Sequence, residues 1–234
     1  MKIIISIALV GMGFTGTAQQ EKKEHIIPMF THSIGASFQQ FDGLNGRVAG
    51  LPQYQQLKGH TATLGLGWLK ECKRVISGAG LTLGSSMSGD RDERSSTIRY
   101  YGLNADVGYD VLKSERVMLF PLAGLGFQKY QAIFFKDNSA VDFDEVLESS
   151  TTQNNIQSVR FHNSFLVYRL GFGVSLSSPK HAGHSIGLQA GYSGSFKKNK
   201  WRSNENQSLA NAPQDEIGQF FVSLVFANKP MFKR

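Results

Sequence analysis

The sequence predicts an all-β chain: an eight-stranded antiparallel up-and-down transmembrane β-barrel. Three observations predict it. Residues of alternating polarity recur in segments long enough to cross a bilayer as tilted strands, about 9–11 residues each. The links between them alternate between short and long. Aromatic residues gather at both ends of the apolar faces.

The alternation runs through eight segments. In the first, Phe30, His32, Ile34, Ala36 and Phe38 oppose Thr31, Ser33, Gly35, Ser37 and Gln39. The second sets Ala62, Leu64, Leu66 and Trp68 against Thr61, Thr63, Gly65 and Gly67, and the third sets Ala79, Leu81 and Leu83 against Gly78, Gly80, Thr82 and Gly84. In the fourth, Tyr101, Leu103, Ala105, Val107 and Tyr109 oppose Gly102, Asn104, Asp106 and Gly108. The fifth is less regular, because Phe120 and Leu122 fall on the small-residue face of residues 119–128. The sixth (166–176), seventh (186–193) and eighth (219–226) alternate again. One face is bulky and apolar; the other is mostly Gly, Ser and Thr. A water-soluble sandwich bears Lys, Glu and Thr on its open face and tolerates glycine poorly. Small residues instead suit the cramped lumen of an eight-stranded barrel, so the prediction is apolar outside, small and polar inside.

Short links at 70–75, 112–116 and 177–184 alternate with long ones at 42–58, 136–157 and 197–215, with an intermediate loop at 87–95. Short turns on one side and long loops on the other, with both termini on the short side, require an even strand count. Trp68, Tyr109 and Phe226 stand at the short-turn ends of outward faces, and Phe38, Tyr101 and Phe196 near the long-loop ends. These form the expected aromatic girdle, where a ring and a polar edge both find their solvent.

Residues 1–18 read as a signal peptide: Lys2, then an apolar run, then Thr15-Gly16-Thr17-Ala18. Residues 19–234 are the expected barrel domain, with strands within about 26–227 and a short periplasmic tail after 227. No later stretch has the roughly 18–20 apolar residues of a membrane helix. The single cysteine, Cys72, excludes an internal disulfide framework. The formal charge of +7, or +6 without Lys2, points to anionic headgroups and lipopolysaccharide phosphates rather than nucleic acid.

The glycine-punctuated strands Leu64-Gly65-Leu66-Gly67, Ala123-Gly124-Leu125-Gly126-Phe127 and Leu170-Gly171-Phe172-Gly173, with the aromatic final strand, resemble the small eight-stranded outer-membrane barrels of the OmpX/OmpW and PorT-like types over about residues 26–227. The resemblance implies the fold and a bacterial outer-membrane location. It implies no single role, because such families include adhesins, conduits, enzymes and secretion accessories. The final strand ends at Phe226, with Phe232 in the tail beyond it as a second candidate for the terminal aromatic residue.

Within the lumen, Asp106 and Arg169 are expected to pair, with Gln128, Gln189 and Asn104 completing a polar network and Gly108 and Gly171 leaving room for it. Lys197, Lys198, Lys200 and Arg202, beside Trp201, are candidate contacts for lipopolysaccharide phosphates; the alternatives are that they attract the acidic link bearing Asp137, Asp142, Asp144, Glu145 and Glu148 across the rim, or that both loops are solvated. No catalytic, cofactor or metal group is expected. His32 and Ser33 point to opposite faces, so with Glu24 they make no catalytic set. His162 and Ser164 share a face but lack an acid, His181 and His184 are too few for a metal, and Cys72 beside Lys73 and Arg74 reads as a turn residue. The expected protein is a monomeric, non-catalytic barrel with a structural or interaction role and long surface loops. The alternatives are a narrow conduit, with Pro121 marking a lateral gap, and an accessory subunit of a larger outer-membrane complex.

Overall fold

The computed structural model describes residues 28–90, 93–112, 114, 116–177 and 183–228. Residues 1–18, read from the sequence as a signal peptide, Glu24, His181 and the residues from 229 on lie outside the described residues. The elements run β1 (Met29–Gln39), α1 (Asp42–Ala49), β2 (His60–Cys72), β3 (Val75–Gly89), β4 (Ser95–Tyr109), β5 (Val117–Phe135), α2 (Phe143–Glu148), α3 (Ser150–Ile156), β6 (Val159–Ser177), β7 (His184–Ser195), β8 (Asn199–Lys200), β9 (Arg202–Ser203), β10 (Gln214–Asp215) and β11 (Gly218–Asn228). Eight of these strands, β1 to β7 and β11, close into one antiparallel barrel: each pairs with the next, and β11 returns to β1.

The register delivers the predicted outer wall. Ile34 lies opposite Leu64 on one side and Leu224 on the other, so the apolar rows align around the barrel. Leu64, Leu103, Leu125, Leu170 and Phe172 are all more than half exposed, which water would not tolerate as a continuous belt and a bilayer requires. No helix among the described residues is long and apolar enough to cross a membrane.

The short-turn end is tightly built. Lys73 and Arg74 form a two-residue link with φ of 48° and 74°, the left-handed pair whose twist matches that of the flanking strands. The Arg74 guanidinium lies 4.7 Å from the Tyr109 ring centre and donates to the Asp110 carbonyl, tying this turn to the next.

Two expectations about the strands are corrected. β5 and β6 are 19 residues each, not about ten, and their hairpin rises beyond the 11-residue β1 and β11. Above the belt the alternation continues with its polarity reversed. Lys129, Gln131, Arg160 and His162 take the outward row, while Tyr130, Ala132, Phe134 and Phe165 point inward and are buried. A reading that follows the outward apolar residues therefore stops where the strands leave the lipid. The second correction concerns the lumen. It is polar only in the middle, and bulky apolar side chains fill both ends.

Candidate functional site

The middle of the lumen holds the charged pair. Arg169 Nε donates to Asp106 Oδ1 at 3.0 Å, Asn104 Nδ2 donates to Asp106 Oδ2 at 2.6 Å, and the Arg169 guanidinium carbon lies 4.6 Å from the Phe221 ring centre. Residue pairing explains the meeting. Asp106 lies opposite Gly124 on β5, and Gly124 lies opposite Arg169 on β6. A β-carbon on Gly124 would collide with the Asp106 carboxylate, so the missing side chain of the intervening strand is what lets the ion pair span it. Gly108 and Gly171, named from the sequence as the spacers, serve other contacts: Gly108 lies beside Phe120, and Gly171 packs on the β7 backbone. The pair keeps partial solvent contact, with side-chain exposures of 13% for Arg169 and 18% for Asp106.

A second polar chain lies above it. Tyr130 Oη donates to Gln128 Oε1 at 2.9 Å, and Gln128 Nε2 donates to Gln219 Oε1 at 2.8 Å. Gln39 bonds the Thr61 hydroxyl at the same level. Gln219 and Gln39 carry no signal beyond inward alternation, which is why sequence reasoning misses them as members of the network. A cavity of about 120 Å³ occupies the space between the two chains, walled by Thr31, Ser33, Asn104, Asp106, Gln128 and Gln189. Gln189 thus faces the cavity without joining either chain of bonds.

Each end of the cavity meets apolar side chains. At the short-turn end Ile76, Phe120 and Leu122 pack together, with Leu69 and Met118 against them. The Phe120 ring lies flat over Gly173, where any β-carbon would strike it. Phe120 and Leu122, the residues that spoil the sequence alternation, are therefore the floor. At the long-loop end, Ile98, Tyr100, Tyr130, Phe134 and Phe165 join Phe41, Leu44 and Val48 of the α1 region, Leu57, Trp201 and Ile217 in one buried cluster. Tyr100 sits over Gly84 as Phe120 sits over Gly173, so glycines on the inner face are seats for rings.

A carboxylate organises this cap. Asp215, on β10, accepts from the backbone N–H of Gly43 at 2.7 Å and of Leu44 at 3.1 Å, and from Trp201 Nε1 at 2.6 Å. The first two are the otherwise unpaired donors at the start of α1, where Phe41 offers no side-chain cap. Asn45 Nδ2 donates to the Leu57 carbonyl and Asn45 Oδ1 accepts from the Leu57 N–H, at 3.1 and 2.9 Å, folding the first loop back on its helix. β8 pairs with β10, and β9 pairs with Phe161 and His162 of β6, so the last long loop lies across the mouth as a ribbon. Trp201, grouped by sequence with the basic rim, is buried here as the centre of the cap.

Lys197, Lys198, Lys200 and Arg202 remain exposed on the outside of that ribbon, above the exposed Phe196. The only ion pair they make among the described residues is Lys198 with Glu216, at 3.9 Å. None of the four makes a contact ion pair with the acidic link among the described residues. That link folds as α2 and α3, which bury no residue and leave Phe143 and Leu147 outermost. Within it, the Ser139 hydroxyl and then its N–H hold the Asp137 carboxyl below the usual carboxylate range.

The six girdle residues stand on the outer wall. Trp68, Tyr109, Phe38, Tyr101 and Phe196 are exposed, and Phe226 is half-buried because it stacks on His32 at 5.4 Å. That stacking also accounts for His32. His162 contacts Asn204 rather than an acid, and His184 contacts Asn228. No three His, Cys, Asp or Glu side chains converge among the described residues. Pro121 does interrupt a ladder: β4–β5 pairing ends at Gly108 opposite Leu122, and the bond from Val111 N–H to the Leu119 carbonyl resumes it at 2.8 Å.

No protein-family model and no curated protein matches the chain. Among solved structures, the chain is similar to Neisserial surface protein A, at 11% identity and a TM-score of 0.50, covering 87% of this chain and 97% of that one. It is also similar to a major outer membrane protein from Thermus thermophilus (13%, TM-score 0.48, 86% and 98%) and to Ail, the attachment invasion locus protein of Yersinia pestis (15%, TM-score 0.47, 86% and 98%). The likeness to the Neisserial protein is one of fold, and the exposed apolar belt is independent of it: the chain is a closed eight-stranded antiparallel β-barrel whose outer wall is apolar enough to cross a bilayer.

Proposed function

We propose that this barrel has a structural or interaction role at the cell surface, without catalysis and without conduction. One observation carries the reading: the long-loop end of the lumen is closed by a packed cluster built from the first and last long loops together. A conduit has no use for a buried tryptophan, a capped helix and a stacked pair of tyrosines across its entrance, whereas a display surface needs that rigidity. The basic run Lys197, Lys198, Lys200 and Arg202 is the part of this surface we assign to lipopolysaccharide phosphates, because it emerges directly above a girdle residue. In planar bilayers the purified protein is expected to give no conductance steps. Protease on intact cells is expected to cut first within 136–157, the link whose helices bury nothing. Regular conductance steps from the unaltered protein would favour the conduit.

A second reading, an accessory subunit of a larger complex, is favoured by a shallow apolar hollow on the outer wall. It runs past Val107, Tyr109, Pro121, Ala123, Phe172 and Ala190, where small residues stand between large ones. Crosslinking through cysteine at position 123 in native membranes, yielding one discrete protein adduct, would support it; lipid contact alone would not.

A further inference from the structure

The cap contains a second cavity that the closure of the lumen does not use. It has a volume of about 210 Å³ and lies between α1, the top of β5 and β6, and the last long loop. Its walls are Leu44, Val48, Tyr54, Phe134, Phe161 and Trp201. Leu51 and Leu209 stand at the mouth, each 42% exposed, so the hollow opens outward rather than into the barrel. The one charged lining residue is Arg47, in the last turn of α1, exposed and without a carboxylate partner among the described residues.

An apolar cavity of about 150 Å³ is large enough to bind benzene and stays dry when empty, so this one has room for a chain on the order of eight carbons. Apolar walls select such a chain, and a free guanidinium at the rim selects what it ends in: a carboxylate or similar anion, which Arg can hold with two parallel hydrogen bonds. We propose that this cavity is a binding site for a short anionic amphiphile, an alkyl chain headed by a carboxylate, with the chain against Trp201 and the head on Arg47. The site is separate from the surface role proposed above and stands or falls without it.

The chain's two tryptophans make a direct test available. Trp68 faces lipid, so Trp68→Phe leaves Trp201, in the cavity wall, as the only one. This protein in phospholipid nanodiscs is titrated with 8-bromooctanoate, whose bromine quenches tryptophan on contact. Saturable quenching is expected, reversed by octanoate and not by octylamine. Arg47→Gln, a surface change, is expected to weaken binding about tenfold or more, in line with the loss of a charge-assisted bond. Ala212→Phe, which fills the cavity from its loop side, is expected to abolish it, with an unchanged heat-dependent shift in gel mobility as the folding control. Quenching that rises without saturating, or is the same with the cavity filled, means partition into lipid and overturns the site. Equal competition by octylamine, or full binding by Arg47→Gln, overturns the anionic ligand.

Discussion

The two ends of the lumen solve one problem in different ways. At the short-turn end the floor is made of strand residues alone: Ile76 on β3 and Phe120 and Leu122 on β5, each already pointing inward. At the long-loop end the cap draws on α1, three strands and the ribbon of β8 to β10, and a carboxylate fastens it. The floor needs only a local exchange of small residues for large ones. The cap needs loops distant in sequence to find each other. The difference shows that one lumen can be closed at one end from within its strands and at the other by loops packed together over it.

The largest expected effect is at the cap. Trp201→Ala removes the ring that fills it and the donor to Asp215, and large aromatic-to-alanine changes in cores cost about 3–5 kcal/mol. Thermal unfolding in detergent should show the loss, while insertion into the membrane is unaffected. If Phe120→Ala at the floor proves equally costly, the two ends are alike energetically and the contrast fails. Next comes the wall between them. Leu188→Arg places a cation on an outward mid-strand position, at about 2–4 kcal/mol at the bilayer midplane. It should reduce the folded fraction recovered in membranes, whereas Ser203→Arg on the ribbon should not.

The charged pair in the middle should respond less. Asp106→Asn and Arg169→Gln each remove a charge-assisted hydrogen bond, of about 1.5–3 kcal/mol, and the solvent that reaches the pair keeps the cost below that of a dry one. The double variant should lose less than the sum of the two, read from unfolding midpoints. Additive losses would mean that the 3.0 Å contact contributes nothing as a pair. The smallest effect belongs to the tip of the β5–β6 hairpin. Phe143→Ser with Leu147→Ser alters residues that pack on nothing, and should change stability by no more than about 0.5 kcal/mol. A larger loss would show that α2 is part of the cap.

The sequence makes the wall legible and the cap nearly illegible, for a physical reason. A strand writes its two environments into alternate residues, so Leu64, Leu103 and Leu170 announce lipid by their spacing. Asp106 and Arg169 are readable because a charge on an inward row is conspicuous. Their spacer is not, because Gly124 lies on the strand between them and register across strands is not written in spacing. Trp201 stands among Lys198, Lys200 and Arg202, so its neighbours in sequence suggest a surface while its neighbours in space are Phe41 and Asp215. Asp215 has no sequence signal at all: its backbone partners are 171 and 172 residues earlier, and its third partner is the ring of Trp201.

That separation bears on the order of assembly. β1 and β11 meet only when the whole chain is present, and their seam is the one that turns a sheet into a barrel. Gly43 and Leu44 begin just after β1, and Asp215 comes just before β11, so the clasp lies directly over this seam. Pairing β1 with β11 places the carboxylate and the helix start at the same end of the seam, where the helix start finds its acceptor. In the finished fold the latch of the lid and the weld of the cylinder are thus neighbours at one end of the same strand pair. A plug fastened beside the seam is tied to the one strand pair whose members are furthest apart in the sequence.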